Sequence, residues 1–210
     1  MRVALQDWHP RGERLWLALA AIALAGCFLH PMLPWRSALF EHVVVLDVTQ
    51  SMNVQDQQLD GASVSRLALA RHALQASLED LPCGSKVGWA IFTEYRSYLL
   101  FTPVEVCDNR AELRASLAGI DGRMAWSGNS EVAKALHSGI TVVKALPGVP
   151  SLVFITDGHE APPLNARHRP KFDDKAGEVA GLVVGVGDLK PTPIPKTDPM
   201  GRPLGFWHAD

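Results

Sequence analysis

Residues 43–52 read VVVLDVTQSM, an apolar run that ends in one carboxylate and two hydroxyls. Four consecutive apolar residues are typical of a strand that is covered on both faces, as in parallel α/β sheets. Asp47, Thr49 and Ser51 follow where this strand should open into a loop. Such loops at the carboxyl ends of strands bind ligands in open α/β folds. The stretch therefore predicts a buried strand that delivers oxygen ligands to a site.

The composition limits the domain count and the kind of partner. With 210 residues, 47 % of them hydrophobic, the chain can bury one sizeable core, so we expect one folded domain with additional segments. The formal net charge is -2. Nucleic-acid binding usually shows as a basic surface or stripe, so this balance argues against nucleic acid as the main partner.

Helical and strand-like patterns alternate after the first strand. Apolar residues at helical spacing predict three helices. The first has the apolar face Leu67-Ala70-Leu74-Leu78-Leu81 and ends at Pro82. The second is short, with the apolar face Leu113-Leu117-Ile120 and Asp108 or Asn109 as its cap, and the third starts at Ser130 with the apolar face Val132-Leu136-Ile140-Val143. Continuous apolar runs at residues 151–156 and 182–187 predict further buried strands. The alternation predicts an α/β domain over residues 40–187, with a mainly parallel sheet and helices on both faces.

A hairpin interrupts this pattern and predicts a disulfide. Residues 86–92 and 97–104 are strand-like and flank a turn near Tyr95, so paired residue numbers should sum to about 190. Cys83 and Cys107 sum to 190, and directly opposed positions of an antiparallel pair are close enough for a disulfide. We therefore predict a Cys83–Cys107 bond at the open end of the hairpin. Two unrelated buried thiols are the alternative.

Three segments show no strong helix or strand pattern. Residues 53–63 are polar and predict a loop, and the polar residues 165–178 would hold at most a short helix. Beyond Asp188 five prolines exclude a helix and a central strand, which predicts an extended or loosely packed tail over residues 188–210.

The amino-terminal segment predicts a membrane anchor. Arg2, Arg11 and Arg14 precede an uncharged apolar stretch, and residues 15–35 reach the roughly 20 residues that a bilayer span needs. Flanking arginines keep residues 1–14 cytoplasmic, so a single pass through the inner membrane would place the domain in the periplasm. A cleavable signal peptide, or a lipoprotein signal ending at Cys27, is the alternative. The domain is exported in each case, which permits a disulfide.

Three loops share one ligand chemistry. Besides the loop with Asp47, Thr49 and Ser51, a serine-rich segment ends in Ser130 before a predicted helix, and Asp157 follows the strand-like run at residues 151–156. Hydroxyl and carboxylate oxygens are hard ligands suited to Mg²⁺, Ca²⁺ or Mn²⁺. If the strands ending in Asp47 and Asp157 are neighbours, both acids face one crevice.

These residues resemble the von Willebrand factor A (VWA) domains, which carry a metal-ion-dependent adhesion site. Asp47, Thr49 and Ser51 match the family's first motif, with threonine in place of its first serine, while Ser130 and Asp157 match the later threonine and aspartate. The resemblance implies a Rossmann-like fold with one antiparallel edge strand. It also implies that the three hydroxyls bind a divalent cation directly while the two aspartates act partly through water. A partner's acidic side chain would complete the coordination, and the domain would not be an enzyme.

A closer resemblance is to the MxaL family, membrane-anchored periplasmic proteins of methylotrophs. It is carried by residues 48–53 (VTQSMN), residues 156–165 (TDGHEAPPLN), and the glycine- and proline-rich residues 184–196. It implies a role in maturation of the calcium- and quinone-dependent methanol dehydrogenase. The VWA fold usually ends with a further strand and helix, which residues 188–210 do not predict.

Other functions remain open at this level. Similar anchored domains act with MoxR-type ATPases in envelope assembly, and a degenerate site would serve only as scaffold. A metal-dependent hydrolase is less consistent, because a phosphatase of the haloacid dehalogenase type needs an aspartate where Thr49 stands. His159-Glu160 would be an acid/base pair or part of a solvated loop. We expect Trp89 in the core and consider Trp126 a candidate for partner contact.

Overall fold

The computed structural model describes residues 11–28, 38–165, 167, 169–173, 175–198 and 200–207. The chain divides into two compact units, residues 1–37 and residues 38–210. In the first unit, helix α1 spans Arg11–Phe28. No helix within the described residues is both long enough and apolar enough to cross a membrane. The predicted anchor over residues 15–35 extends into residues 29–35, which lie outside the described residues, and it stays a prediction.

The second unit contains the predicted strands and helices in the expected order, together with short strands that the sequence patterns did not indicate. They are β1 (Glu41–Asp47), β2 (Gln57–Leu59), β3 (Ala62–Val64), α2 (Arg66–Asp80), β4 (Lys86–Thr93), β5 (Arg96–Leu99), β6 (Val104–Glu105), α3 (Arg110–Gly119), α4 (Val132–Lys144), β7 (Ser151–Thr156), β8 (Gly181–Gly185), β9 (Pro195–Thr197) and β10 (Pro203–Phe206). Short 3-10 turns at Gln50–Asn53 and Gly122–Met124 follow β1 and precede α4.

The central sheet has the strand order β5-β4-β1-β7-β8, and β6 also pairs with β4. Strands β4, β1, β7 and β8 are parallel to one another, whereas β5 and β6 run antiparallel to β4 at one edge. The predicted fold class is therefore confirmed, including the antiparallel edge.

Side chains that alternate along the strands build one core on each face of the sheet. Val44 and Leu46 of β1 point to the face where α2 and α3 pack, whereas Val43 and Val45 point to the face covered by α4. All four are buried because helices cover both faces of the sheet at this central strand, which explains the unbroken apolar run in the sequence. Trp89 is fully buried in the first core and donates from Nε1 to the Leu113 carbonyl at 3.2 Å, as expected for a core residue.

The predicted hairpin and its disulfide are present, with a break that the sequence did not predict. Cys83 and Cys107 are bonded, with Cα atoms 5.3 Å apart. The prediction of one continuous strand over residues 97–104 was wrong, because β5 ends at Leu99 and β6 begins at Val104. The backbone N–H groups of Leu100 and Phe101 both point to the Trp89 carbonyl, and this irregularity shifts the pairing register between the two strands.

Two further segments differ from expectation. Within the polar segment 53–63, β2 and β3 form a small antiparallel hairpin, which a reading of polarity alone takes for a loop. In the described part of the proline-rich tail, for which the sequence predicts an extended or loosely packed chain, β9 and β10 pair in a two-stranded sheet of their own. Its prolines suit such a small sheet because few ladder hydrogen bonds are required of them.

Candidate metal centre

The candidate site lies where β1 and β7 end side by side. Leu46 pairs with Ile155 in parallel register, so Asp47 and Thr156 leave the sheet at the same edge. The strand order reverses at β1, because β4 pairs with one edge of β1 and the later strand β7 pairs with its other edge. Open α/β sheets bind ligands at such a topological switch point, because the loops that leave the two strands diverge and form a crevice there.

Three hydroxyl groups meet in this crevice. Thr49 Oγ1 lies 3.2 Å from Ser51 Oγ and 3.4 Å from Ser130 Oγ, and all three residues are buried. Ser130 does not cap α4, which begins at Val132. Its backbone exchanges two hydrogen bonds of 2.8 Å with Ala161. This bridge fixes the Ser130 hydroxyl opposite the loop that follows β1.

Asp47 lies next to this cluster, forms a hydrogen bond with the Thr49 backbone, and is fully buried. Its Oδ1 accepts from the Thr49 backbone N–H at 2.9 Å, and its Oδ2 accepts from Thr156 Oγ1 at 2.6 Å. Removal from water raises the pKa of Asp47 to about 7, against the lowering effect of these hydrogen bonds. Both oxygens are engaged, so Asp47 orients the Thr49 loop.

Asp157 closes the other side of the cluster. Its Oδ1 accepts from Ser51 Oγ at 3.1 Å and from the His159 backbone N–H at 3.0 Å. Its Oδ2 accepts from the Arg66 guanidinium at 2.7 Å. Each aspartate therefore forms a hydrogen bond with a residue of the hydroxyl cluster, Asp47 with the Thr49 backbone and Asp157 with the Ser51 hydroxyl. The structure thus brings together all five predicted site residues, Asp47, Thr49, Ser51, Ser130 and Asp157.

The spacing of the hydroxyl oxygens fits a hard divalent cation. Adjacent ligands of a regular octahedron are about 1.4 times the metal–oxygen distance apart, so about 3.0 Å for Mg²⁺ and about 3.3 to 3.7 Å for Ca²⁺. Of the two observed oxygen separations, 3.4 Å lies within the range for Ca²⁺ and 3.2 Å lies between the values for the two cations. Oxygen ligands without thiolate or imidazole also favour such cations. The residues present therefore fit the group that the family resemblance implies.

The carboxyl-terminal tail forms one wall of the crevice. A cavity of about 280 Å³ opens over the hydroxyl cluster and is also lined by His159, Ala161, Ile194 and Trp207. Trp207 donates from Nε1 to Gln50 Oε1 at 2.6 Å, which ties the tail to the loop after β1. A second cleft of about 620 Å³ shares Gln50 and Gly128 with this cavity.

The roles of several residues at the site were not predicted from the sequence. Thr156 stood inside a recognised motif, but only the structure shows that its hydroxyl serves Asp47. Glu160 accepts from the backbone N–H of Ala133 at 3.2 Å, at the start of α4, so it satisfies a helix terminus. Trp207 and Arg66 gave no local signal, because their contacts span 157 and 91 positions of sequence. Trp126 is 59 % exposed and lines the larger cleft, which keeps it a candidate for partner contact.

Comparison with solved structures identifies similar folds. An aerotolerance-related membrane protein from Bacteroides fragilis, crystallised with multiple mutations to serine, is 20 % identical with a TM-score of 0.53, and the match covers 79 % of this chain and 80 % of that one. An uncharacterised membrane-spanning protein from Vibrio fischeri is 16 % identical with a TM-score of 0.41, covering 59 % and 60 %. Proximal thread matrix protein 1 of the mussel byssus, with a zinc-occupied MIDAS motif, is 11 % identical with a TM-score of 0.41, covering 63 % and 34 %.

The last two matches span less than two thirds of the structures concerned. A comparison with curated protein sequences finds no significant match. The family model described as von Willebrand factor type A domain matches residues 42–159, more than half of the 210 residues. This range begins in β1, ends just after Asp157, and includes the three loops of the candidate site. The chain therefore belongs to the von Willebrand factor type A domain family.

Proposed function

We propose that this domain is a protein-binding module whose binding depends on a divalent cation. The observation that carries the proposal is the cluster of three neutral hydroxyl oxygens at 3.2 and 3.4 Å, with both nearby carboxylates already engaged in hydrogen bonds. Thr49, Ser51 and Ser130 would hold Mg²⁺, Ca²⁺ or Mn²⁺. Asp47 and Asp157 would orient the hydroxyls.

The donor set explains why a partner would be needed. Hydroxyl ligands do not neutralise a divalent cation, and three ligands do not complete the six or more that such cations prefer. A cation held in this way supplies a positively charged docking point for an Asp or Glu carboxylate of another protein. Electrostatic complementarity of this kind gives specificity as well as affinity.

The surface around the crevice would select the partner. The loop at residues 159–165 borders it through His159 and Ala161, and Ile194 and Trp207 add an apolar wall from the tail. Residues 53–55 line a further pocket together with the tail. Lys196 Nζ lies 4.5 Å from the centre of the Trp207 ring and adds a positive charge at the rim. These features favour an acidic partner segment with an apolar neighbour to its carboxylate.

Direct cation binding is the first test. Isothermal titration of the chelator-treated, full-length protein with Ca²⁺, Mg²⁺ and Mn²⁺ should show one site. Ser130→Ala should weaken binding at least about tenfold, because it removes one of few direct ligands. Ser138→Ala is a matched control, since the Ser138 hydroxyl lies on α4 and accepts from the Ser97 backbone N–H of β5, away from the cluster. Equal affinities for the wild-type protein and Ser130→Ala would contradict the assigned site.

Partner capture is the second test. The full-length protein should retain a partner from native membranes in Ca²⁺ or Mg²⁺ and release it in EDTA. Asp47→Ala and Asp157→Ala should abolish capture without unfolding the domain. A scaffold with a degenerate site would instead bind its partner in chelator and tolerate both substitutions.

We propose no catalytic role for the site. An acid/base function of His159-Glu160 would need both side chains near the cluster, but the Glu160 carboxylate contacts the backbone at the start of α4. Turnover of a generic phosphate or ester substrate that Asp47→Ala abolishes would contradict this assignment.

We further propose a periplasmic location and a role in maturation of methanol dehydrogenase, including calcium insertion. The apolar residues 15–35 support an anchored, exported domain, and the Cys83–Cys107 bond is consistent with an oxidising compartment. The segments at residues 48–53 and 156–165 support the methanol dehydrogenase partner. Calcium-dependent binding of purified, calcium-free methanol dehydrogenase would support the assignment. Capture of a MoxR-type ATPase instead would replace it.

A further inference from the structure

Arg66 is a buried cation at the first position of α2. Its side chain is 11 % exposed, and Ser65 caps the helix just before it. The amino-terminal end of a helix carries partial positive charge, so an arginine there is opposed by the helix dipole. A buried guanidinium also loses its hydration and requires strong acceptors in return. The acceptors around Arg66 therefore account for its position.

Two carboxylates from separate loops supply these acceptors. Arg66 Nε donates to both oxygens of Asp56 at 3.1 and 3.0 Å, and Nη2 also contacts Asp56. These hydrogen bonds hold the pKa of Asp56 below its ordinary value. Nη1 remains directed at Asp157 Oδ2, at 2.7 Å. One planar guanidinium thus joins the segment before β2 to the loop after β7.

This arrangement determines which oxygen of Asp157 faces the hydroxyl cluster. Asp157 Oδ2 is occupied by Arg66, and its side chain is only 1 % exposed. Only Oδ1 reaches the Ser51 hydroxyl. The backbone after β8 supports Arg66 from behind, since a Cβ at Gly187 would lie 3.3 Å from Arg66 Cζ and Nε. Asp157 is therefore held in one orientation by a chain of contacts that begins at Asp56.

We propose that Arg66 is a positioning residue of the metal centre: held by Asp56, it retains Asp157 Oδ2 so that Asp157 supports the cation through the Ser51 hydroxyl and does not coordinate it directly. The inference rests on the proposed function. It explains how a site with two acids keeps a cation incompletely neutralised and available to a partner's carboxylate. Release of Asp157 would add a charged ligand, and a higher ligand charge tightens divalent-cation binding.

The two members of the Arg66–Asp56 pair allow a test in which charge and positioning are separated. Arg66→Met removes one positive charge and frees Asp157, so Ca²⁺ and Mg²⁺ should bind more than about tenfold tighter. Asp56→Asn leaves the charge of Arg66 without its main partner, so both cations should bind more weakly. Both variants lose a buried ion-pair partner and are destabilised, so opposite shifts in affinity cannot result from lost stability.

The double variant, Asp56→Asn with Arg66→Met, decides between positioning and charge. The two substitutions together remove one negative and one positive charge, so the net charge at the site is unchanged, while Asp157 Oδ2 no longer has Arg66 as its donor. We expect cation binding about fivefold to tenfold tighter than in the wild-type protein, measured by isothermal titration of the full-length chain with each metal. Arg110→Met is the control for a lost arginine, because Arg110 pairs with the exposed Glu79 on the surface.

The outcomes separate this inference from the function on which it rests. A double variant with wild-type affinity would overturn the positioning role and leave cation binding intact. Arg66→Met with unchanged or weaker affinity, in a protein that circular dichroism shows to be folded, would do the same. A wild-type protein that binds none of the three cations would overturn the proposed function and this inference together.

Discussion

Thr156 provides a quantitative test of how the metal centre is supported. Its buried hydroxyl donates to Asp47 Oδ2 at 2.6 Å and accepts from the Gly158 backbone N–H at 3.0 Å. Thr156→Val preserves the shape of the side chain and removes both hydrogen bonds. Asp47 is fully buried, so no water can replace the lost donor without rearrangement.

The expected magnitude follows from these two contacts. A hydrogen bond to a charged group contributes about 1.5 to 3 kcal/mol, and one between neutral groups contributes about 0.5 to 1.5 kcal/mol. Thr156→Val should therefore lower the free energy of unfolding by about 2 to 4 kcal/mol at pH 8, where Asp47 is mostly ionised. For a domain of this size, the melting temperature should fall by roughly 4 to 16 °C, at about 2 to 4 °C for each kcal/mol.

Urea unfolding in EDTA, followed by circular dichroism, measures this difference. Thr141→Val is the matched control, because the exposed Thr141 hydroxyl donates to a backbone carbonyl of its own helix at 3.0 Å. That substitution should change stability by less than about 0.5 kcal/mol. A similarly small effect of Thr156→Val would refute the claim that the Thr156 hydroxyl stabilises the Asp47 carboxylate.

Three further predictions concern the disulfide, the pH dependence and the tail. Replacing Cys83 and Cys107 by serine opens a loop with a sequence separation of 24 and should cost about 3 kcal/mol by denaturant unfolding, whereas Cys27→Ser, at an exposed free cysteine, should cost nothing measurable. A loss below about 1 kcal/mol would contradict the first expectation. The pKa of Asp47 is about 7 in the fold and about 3.9 in an unfolded chain, so the folded state binds the extra proton between these values. Stability in EDTA should therefore decrease as the pH rises from about 4 to 7, and Ca²⁺ affinity should increase over the same range, because the cation competes with the proton. Titrations at pH 5.5 and 8 with equal affinities would contradict this. Trp207→Ala removes the hydrogen bond to Gln50 and should weaken partner capture while Ca²⁺ affinity stays within about threefold. A loss of cation affinity as large as that of Ser130→Ala would instead place the tail within the metal centre.

The sequence by itself predicted the main strands of the sheet and the five candidate site residues. Their signals are local: an apolar run such as residues 43–46 is buried on both faces, and a polar residue after such a run lies at a loop. Helix positions followed from apolar spacing. The hairpin sum near 190 located the disulfide because the irregularity between β5 and β6 changes the sum of paired residue numbers only from 189 to 191. The family match over residues 42–159 and the observed strand order agree with these local signals.

Only the tertiary structure decided how the candidate site residues are held. Ser130 is fixed by a bridge to Ala161, Asp47 by Thr156, and Asp157 by Arg66, and each of these contacts crosses at least 31 positions of sequence. Arg66 at a helix start and Trp207 in a proline-rich tail are unremarkable in sequence. Their roles depend on which loops the folded chain brings to the carboxyl ends of β1 and β7. Periodicity reports which face of an element is buried, but it carries no information about which distant side chain fills the space opposite.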